Sequence, residues 1–276
     1  MKIRPSAAEI DLFLAEDLGS GDLTAGLIPF ERLAAATVRC REPAVLCGRD
    51  WFDAVFLHLS SLVEINWFFD DGDAVAADTV LCELRGPARA LLSGERTALN
   101  LLQTLSATAT LSRAYANAVA GLSCKVLDTR KTLPGLRLAQ KYAVRCGGCH
   151  NHRLGLFDAV LIKENHIAAL GSIAAAVAAA RALRGVMVEV EVENMRELGE
   201  ALAAGPDRIM LDDFGVEALR QAVQMAAGRV ELEASGSITL ENIREYAATG
   251  VDYISIGALT KNVRAIDLSM RIELTA

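Results

Sequence analysis

The sequence lacks the features that define several large classes of protein. It has no apolar run long enough to span a membrane, and residues 1–6 carry no apolar core of the kind found in secretory signals. Its net charge of -7 has the wrong sign for a general nucleic-acid binder. Neither a Walker A loop nor a G-x-G-x-x-G dinucleotide fingerprint is present. We therefore expect a cytoplasmic protein with no membrane and no nucleic-acid partner.

Aliphatic side chains dominate the composition. Of the 276 residues, 52% are hydrophobic but only 5% are aromatic, which is typical of α/β proteins. Up to about residue 87, short strand-like runs separated by turns predict a small layer of antiparallel strands with helices. Residues 88–120 have helical periodicity, with a turn or cap predicted at 93–96.

Six short apolar runs alternate with helical stretches in the second half of the chain. Repeated β-α units of this kind predict a parallel sheet, either an open and reduced α/β barrel or, as the alternative, an open doubly wound sheet. In both folds, ligands bind at the carboxyl ends of the strands. The predicted strands are residues 124–127, 159–162, 186–192, 208–211, 230–232 and 253–256.

Positive charge is concentrated between Lys125 and His166. This segment has eight Lys or Arg against three acids, and it holds three of the four histidines of an acidic chain. A local cationic focus of this kind favours a small, multiply anionic ligand. A solvated helix face explains part of the charge, because Arg137, Lys141 and Arg145 recur at a spacing of four.

Three kinds of group follow the predicted strands. Arginine forks and lysines bind carboxylates and phosphates, acids bind sugar hydroxyls or Mg²⁺, and Gly/Ser loops present N–H groups to phosphate. A ligand set with carboxylates, a sugar and phosphates would satisfy all three. The alternatives are a polar strand face for Glu191, a helix cap or salt bridge for Asp212, and ordinary turns for the glycines. The groups are cationic (Arg130, Lys131, His152, Arg153, Lys163), acidic (Glu191, Asp212) and small (Ser235-Gly236, Gly257-Ala258).

The cysteines suggest a second interpretation. Cys40, Cys47, Cys82 and Cys124 lie in apolar contexts and are predicted to be buried thiols. The segment Cys146-Gly-Gly-Cys149-His150 formally matches a haem-attachment pattern, and with His152 it supplies half of a zinc site. A non-enzymatic metal or haem protein therefore stays open as an alternative. We favour a glycine-rich turn that delivers His152 and Arg153 to a pocket.

The order of motifs resembles the quinolinate phosphoribosyltransferase family over nearly the whole chain. The central match is Asp128-Thr-Arg-Lys-Thr132. The sequence differs from the expected family pattern at Cys149, Asp213 and Ser237, where glycine, asparagine and glycine are usual. A relative of the same fold with another substrate is a further alternative, but retention of Arg130, His152 and Arg153 argues against it. The other matching segments are 16–24, 94–100, 134–135, 141–148, 151–155, 161–166, 189–192, 210–212, 232–236, 250–253 and 257–260.

The resemblance implies a fold, an assembly and a reaction. It implies an N-terminal α/β sandwich domain (1–110, joined again by residues 265–276) and an open, reduced α/β barrel (111–264) with the active site at the carboxyl ends of its strands. It implies a homodimer with shared active sites, with higher assembly left open. The implied reaction converts quinolinate and phosphoribosyl pyrophosphate, with Mg²⁺, to nicotinate mononucleotide, CO₂ and pyrophosphate in de novo NAD biosynthesis.

The resemblance also implies residue roles. Arg130, His152 and Arg153 would bind the quinolinate carboxylates, and Arg96 would arrive from the partner subunit. Lys131 and Lys163 would contact pyrophosphate or substrate charge. Glu191 and Asp212 would lie at the ribose hydroxyls, or at Mg²⁺ directly or through water. Ser235, Gly236 and Gly257 would lie at a phosphate.

Overall fold

A computed structural model describes residues 3–183 and 185–274. The chain divides into two compact units. The first contains the described residues up to Arg113, the segment Leu138–Gly147 and the described residues from Asn262 onward. The second contains Ala114–Arg137 and Gly148–Lys261.

The first unit is built on an antiparallel sheet. Its strand order is β12-β1-β5-β3, and β2 and β4 form a separate pair. Alternate residues of β1 are buried, as expected for a strand with one face on the core. The strands are β1 (Leu33–Cys40), β2 (Ala44–Val45), β3 (Glu64–Trp67), β4 (Ala74–Val75), β5 (Thr79–Pro87) and β12 (Leu268–Leu274).

Helices complete this unit. The first begins after Ser6, whose side chain forms a reciprocal capping box with Glu9. The third is 31 residues long and runs without a break through residues 93–96, so the predicted turn there was wrong. None of the helices formed by the described residues is both long and apolar enough to cross a membrane. The helices are α1 (Ala7–Leu18), α2 (Arg49–Leu59), α3 (Ala88–Ala118) and α4 (Arg137–Cys146); residues 114–118 of α3 and Arg137 of α4 are counted with the second unit.

The second unit is a six-stranded parallel sheet flanked by helices. The strand order is β6-β11-β10-β9-β8-β7. Strands β7 to β11 therefore follow one another in one direction, and β6 pairs with β11. The elements are β6 (Lys125–Leu127), β7 (Ala159–Ile162), α5 (Glu164–Leu170), α6 (Ile173–Arg181), β8 (Met187–Val192), α7 (Met195–Ala204), β9 (Arg208–Asp212), α8 (Val216–Ala226), β10 (Glu231–Ser235), α9 (Ile243–Ala247), β11 (Tyr253–Ser255) and α10 (Ala258–Lys261).

This strand order decides between the two predicted folds. A doubly wound sheet reverses direction at a switch point, whereas a barrel winds in one direction. Here the winding does not reverse, and within the described residues no pairing joins the edge strands β6 and β7. The predicted open, reduced α/β barrel is confirmed, and the doubly wound alternative was wrong.

Candidate active site

A cavity of about 290 Å³ opens at the carboxyl ends of the barrel strands. Its volume suits a ligand the size of a substituted ring. It brings together most of the predicted cations and the residue that ends β10. It is lined by Thr129, Arg130, Lys131, His152, Arg153, Leu161, Lys163 and Ser235.

A buried aspartate, Asp128, joins the two cationic loops. It directly follows β6 and is fully buried. Its Oδ1 accepts the main-chain N–H of His152 at 2.9 Å, and its Oδ2 accepts a hydrogen bond from Asn151 Nδ2 at 2.6 Å. The loop carrying Arg130 is thereby fixed against the loop carrying Arg153. Sequence reasoning noticed Asp128 only as part of a motif and gave it no role.

Arg153 is half-buried and lines the cavity. Its Nη1 donates to the carbonyl oxygen of Ala159 at 3.1 Å. Burial, and then the neighbouring Arg130 guanidinium, lower the pKa of Arg153. Two guanidinium groups that repel each other across a cavity form a site that an anion would stabilise.

Lys163 and Glu191 form an ion pair beside the cavity. Lys163 lies between β7 and α5, and its Nζ contacts Glu191 Oε2 on β8. Glu191 is buried, yet it does not line the 290 Å³ cavity. Asp212 is the last residue of β9 and stands in register with Ser235, and it is also outside the cavity lining. The structure therefore places both acids at the strand ends but not in the cavity wall.

The predicted glycines lie where a larger residue would be excluded, at Gly236, or would crowd a neighbouring side chain, at Gly257. A Cβ at Gly236, which has φ +95°, would stand 2.0 Å from Asp213 Oδ1. A Cβ at Gly257 would stand 3.1 Å from Lys131 Cδ, so the lysine chain crosses this glycine closely. The unusual residues Asp213 and Ser237 have φ of 53° and 44°. Asparagine and glycine adopt this region more readily, which gives a physical reason for the family preference.

Arg96 belongs to the first unit. It projects from α3 with a side chain that is 60% exposed. It lines a depression of about 140 Å³ with Glu16, Asp17 and Asn100. Two of the family-like motifs, residues 16–24 and 94–100, therefore meet around this arginine.

A cluster of charged groups is buried beneath the cavity. His152 Nε2 lies 2.9 Å from Glu189 Oε2 and 3.7 Å from Glu233 Oε1. Arg208 Nη1 donates to Glu233 Oε2 at 3.2 Å. Burial raises the pKa of Glu189 to about 7, and burial together with the Glu189 charge raises that of Glu233 to about 8. The sequence places Glu189 in an alternating strand, but nothing in it signals that this face is buried.

The histidine and the two glutamates form the one group among the described residues with the spacing of a metal site. Its chemistry does not fit a metal. The main-chain N–H of Arg153 donates to His152 Nδ1 at 2.7 Å, so Nδ1 carries no proton. The proton of a neutral ring is then on Nε2, the atom that would have to bind the metal. We interpret the group as a buried cluster of facing ionisable side chains.

The cysteines give no support to a metal or haem protein. Among the residues that the structure describes, the group with metal-site spacing is His152, Glu189 and Glu233, and it includes neither Cys146 nor Cys149. All six cysteines are free, and the prediction of buried thiols at 40, 47, 82 and 124 is confirmed. Cys149 is also buried, in the turn that leads to His152.

A barrel with a cationic cavity at its strand ends defines an enzyme of the α/β-barrel class that acts on small anions. Models of the N- and C-terminal domains of quinolinate phosphoribosyl transferase match residues 22–106 and 108–271. The chain therefore belongs to the quinolinate phosphoribosyltransferase family, as the sequence resemblance predicted, and is an enzyme of the pentosyltransferase type.

Individual relatives agree over the full length of the chain. A probable nicotinate-nucleotide pyrophosphorylase (carboxylating) of Bacillus subtilis is 44% identical over 265 residues, covering 95% of this chain and 92% of that protein. The Mycobacterium leprae nicotinate-nucleotide pyrophosphorylase (carboxylating) is 42% identical over 268 residues, covering 93% of each chain. The solved nicotinate-nucleotide pyrophosphorylase of Francisella tularensis has a TM-score of 0.94 at 47% identity and covers 99% of this chain and 98% of that chain.

Proposed function

We propose that the protein transfers the phosphoribosyl group of phosphoribosyl pyrophosphate to the ring nitrogen of quinolinate. Pyrophosphate leaves, the 2-carboxylate is then lost as CO₂, and nicotinate mononucleotide is the product, in de novo NAD biosynthesis. The observation that carries the proposal is the cavity lined by Arg130 and Arg153, whose guanidinium charges suit a dicarboxylate. The names of the relatives support the same reaction.

The charged residues around the cavity act by position and electrostatics. Arg130 and Arg153 hold the carboxylates, and each charge-assisted bond contributes about 1.5–3 kcal/mol. Lys131 and Lys163 stabilise the charge that develops on leaving pyrophosphate. The loops at Ser235-Gly236 and Gly257 bind phosphate through main-chain N–H groups.

Glu191 and Asp212 are the acids on the ribose side. Their carboxylates hold the ribose hydroxyls and stabilise the positive charge of an oxocarbenium-like transition state. Carboxylate oxygens at neighbouring strand ends also fit Mg²⁺, which uses one or two protein carboxylates together with substrate phosphates. When bound, Mg²⁺ neutralises pyrophosphate charge. The ion pair of Lys163 with Glu191 holds that carboxylate in place.

The protein acts as a homodimer in which Arg96 completes the partner's site. An exposed arginine surrounded by two motifs of the family pattern supports this arrangement. Large apolar side chains are also exposed on the first unit, and a partner would cover them. Six free thiols favour a reducing compartment, which supports the cytoplasm. The exposed side chains include Leu23, Leu27, Phe30, Leu33 and Leu62.

Release of CO₂ from quinolinate tests the reaction. The assay contains phosphoribosyl pyrophosphate and Mg²⁺, with nicotinate as the control substrate because it lacks the 2-carboxylate. Product with quinolinate and none with nicotinate is expected. A folded dimer that uses neither substrate would contradict the proposal, and use of nicotinate alone would assign the protein to a relative with another substrate.

A further inference from the structure

Both ring nitrogens of His152 face groups of the protein. Nδ1 accepts the main-chain N–H of Arg153 at 2.7 Å, and Nε2 faces Glu189 and Glu233 at 2.9 Å and 3.7 Å. A nitrogen that accepts an N–H has no proton, so the ring proton is on Nε2 and lies between two carboxylate groups. The residue is only 8% exposed although it lines the cavity.

The main chain of His152 is held from another side. Its N–H donates to the buried carboxylate of Asp128 at 2.9 Å. Asp128 therefore fixes the peptide that precedes His152, and the imidazole fixes the peptide that joins His152 to Arg153. This matters for Arg153, because the position of a peptide sets the origin of the side chain that follows it.

Glu233, one of the two carboxylates that face the ring, is anchored in turn. Arg208 donates to Glu233 and Glu231, each at 3.2 Å, and its guanidinium lies 3.8 Å from the centre of the Tyr253 ring. A continuous set of contacts thus runs from the barrel interior through His152 to the peptide of Arg153. Networks of this kind restrict the positions of the groups they support.

We propose that His152 is a positioning residue that fixes Arg153, and that Glu189 and Glu233 are the residues that fix the His152 ring. The substrate carboxylates are bound by guanidinium groups and not by the imidazole. This inference rests on the proposed function, because it concerns how the same cavity binds quinolinate. It replaces the expectation that His152 contacts the substrate directly.

Nitrogen-15 NMR of the histidine rings tests the assignment. The chain has four histidines, and the His152 signals are assigned by their loss in His152→Asn. We expect a neutral ring with an unprotonated Nδ1 and a protonated Nε2, both without ligand and with saturating quinolinate. A ring protonated on both nitrogens in the quinolinate complex would overturn the proposal, because it would indicate an imidazolium paired with a carboxylate.

Kinetics of two amide variants distinguish a positioning role of His152, through Nδ1, from direct contact with quinolinate through Nε2. In His152→Asn the amide oxygen replaces Nδ1 and keeps an acceptor for the Arg153 N–H, whereas in His152→Gln the amide lies at the Nε2 position. We expect the KM for quinolinate to rise less than about threefold in the first and about tenfold or more in the second, with the KM for phosphoribosyl pyrophosphate little changed. The reverse order would indicate direct contact through Nε2. His58→Asn, which makes the same change at an exposed position of helix α2, is the matched control.

Conservative rescue tests the role of Glu189. Glu189→Gln keeps an oxygen facing His152 Nε2, and Glu189→Ala has no acceptor there. We expect the quinolinate KM to rise only in the alanine variant, together with a change in the His152 nitrogen signals. Equal losses in both variants with unchanged His152 signals would contradict the positioning role. If quinolinate fails to bind the wild-type dimer, the proposed function fails, and the ligand-free ring signals still decide whether His152 has the inferred tautomer.

Discussion

The barrel contains two sets of charged side chains that differ in the source of their partners. The inner set (Glu189, Glu233, Arg208 and the neutral His152) is buried, and its ionisable groups face one another inside the protein. The mouth set (Arg130, Lys131, Arg153 and Lys163) has an excess of positive charge around a cavity. The comparison teaches that charge alone does not mark an active site. A site is indicated where the balancing charge has to come from solution.

Loss of Lys163 tests the mouth set with the largest expected effect. We expect Lys163→Ala and Arg96→Ala each to lower kcat/KM by about 100-fold or more, because each removes a charge that stabilises the transition state or holds the substrate. Mixing the two inactive variants should restore activity in a fraction of mixed dimers. Steady-state assays before and after subunit exchange measure this. Failure to recover activity once exchange is demonstrated would argue against a shared site.

Loss of Arg208 tests the inner set. Arg208→Met keeps the length of the side chain but leaves two buried acidic groups, Glu189 and Glu233, without the neighbouring cation. We expect the free energy of unfolding to fall by about 3 kcal/mol at pH 7, as measured by urea unfolding. Arg220→Met, on the exposed face of α8, is the matched control, with an expected change below about 0.5 kcal/mol. Equal effects in the two variants would remove the distinction between buried and exposed pairs.

Arg153→Lys tests whether the mouth set needs the planar guanidinium group of Arg153 and not only its charge. The substitution keeps the charge but removes the planar fork that binds a carboxylate with two hydrogen bonds. We expect the KM for quinolinate to rise roughly 10- to 100-fold and thermal stability to stay nearly unchanged. Unchanged quinolinate kinetics in a folded variant would remove Arg153 from the carboxylate site.

The raised pKa of Glu233 makes the contribution of the inner set to protein stability depend on pH. Its pKa of about 8 lies above the ordinary value of 4.5, so the folded state binds more protons than the unfolded state between these values. The contribution of a raised pKa is complete below about pH 4.5 and is lost as pH rises through 8. We expect Glu233→Gln, measured by calorimetry from pH 5 to 9, to gain stability relative to wild type with rising pH, on the order of 2 kcal/mol. A constant difference would show that Glu233 keeps an ordinary pKa.

The smallest expected effect comes from the backbone. Ser237 and Asp213 adopt positive φ, which costs a residue with a side chain about 1 kcal/mol. We expect Ser237→Gly and Asp213→Asn each to raise the free energy of unfolding by about 0.5–1 kcal/mol. Urea unfolding of the single variants and of the pair measures this. Lower stability in both variants would mean that side-chain contacts outweigh the backbone cost.

The strands of the barrel and the cations at their carboxyl ends could be predicted from the sequence. Buried parallel strands are short apolar runs, and the residues that follow them converge at one edge. The strand ends were less well predicted, because β10 continues through polar residues to Ser235. Residues 93–96 were mistaken for a turn because Gly94 is a helix breaker in isolation, whereas here its missing side chain leaves room for Phe56.

The buried acids were the part of the site that the sequence could not reveal. The segment from Glu189 to Glu193 alternates like a strand with one face in water, and periodicity does not distinguish water from the inside of a barrel. Pairing of β8 with β9 and of β9 with β10 is what places Glu189 and Glu233 in a common interior. Asp128 was overlooked for a related reason, because its partners lie more than twenty residues away in the sequence.

The pairing of β12 with β1 affects how the protein must be made. Strand β1 lies between β5 and β12, and its pairing on one side requires residues 268–274. During synthesis on the ribosome, residues 33–40 are therefore exposed along an unpaired edge while more than two hundred further residues are added. All six strands of the barrel are therefore synthesised before β12, the strand that completes the antiparallel sheet of the first unit. We expect nascent chains that stop before residue 268 to need chaperones and to be degraded, even though every residue of the cavity has already been synthesised.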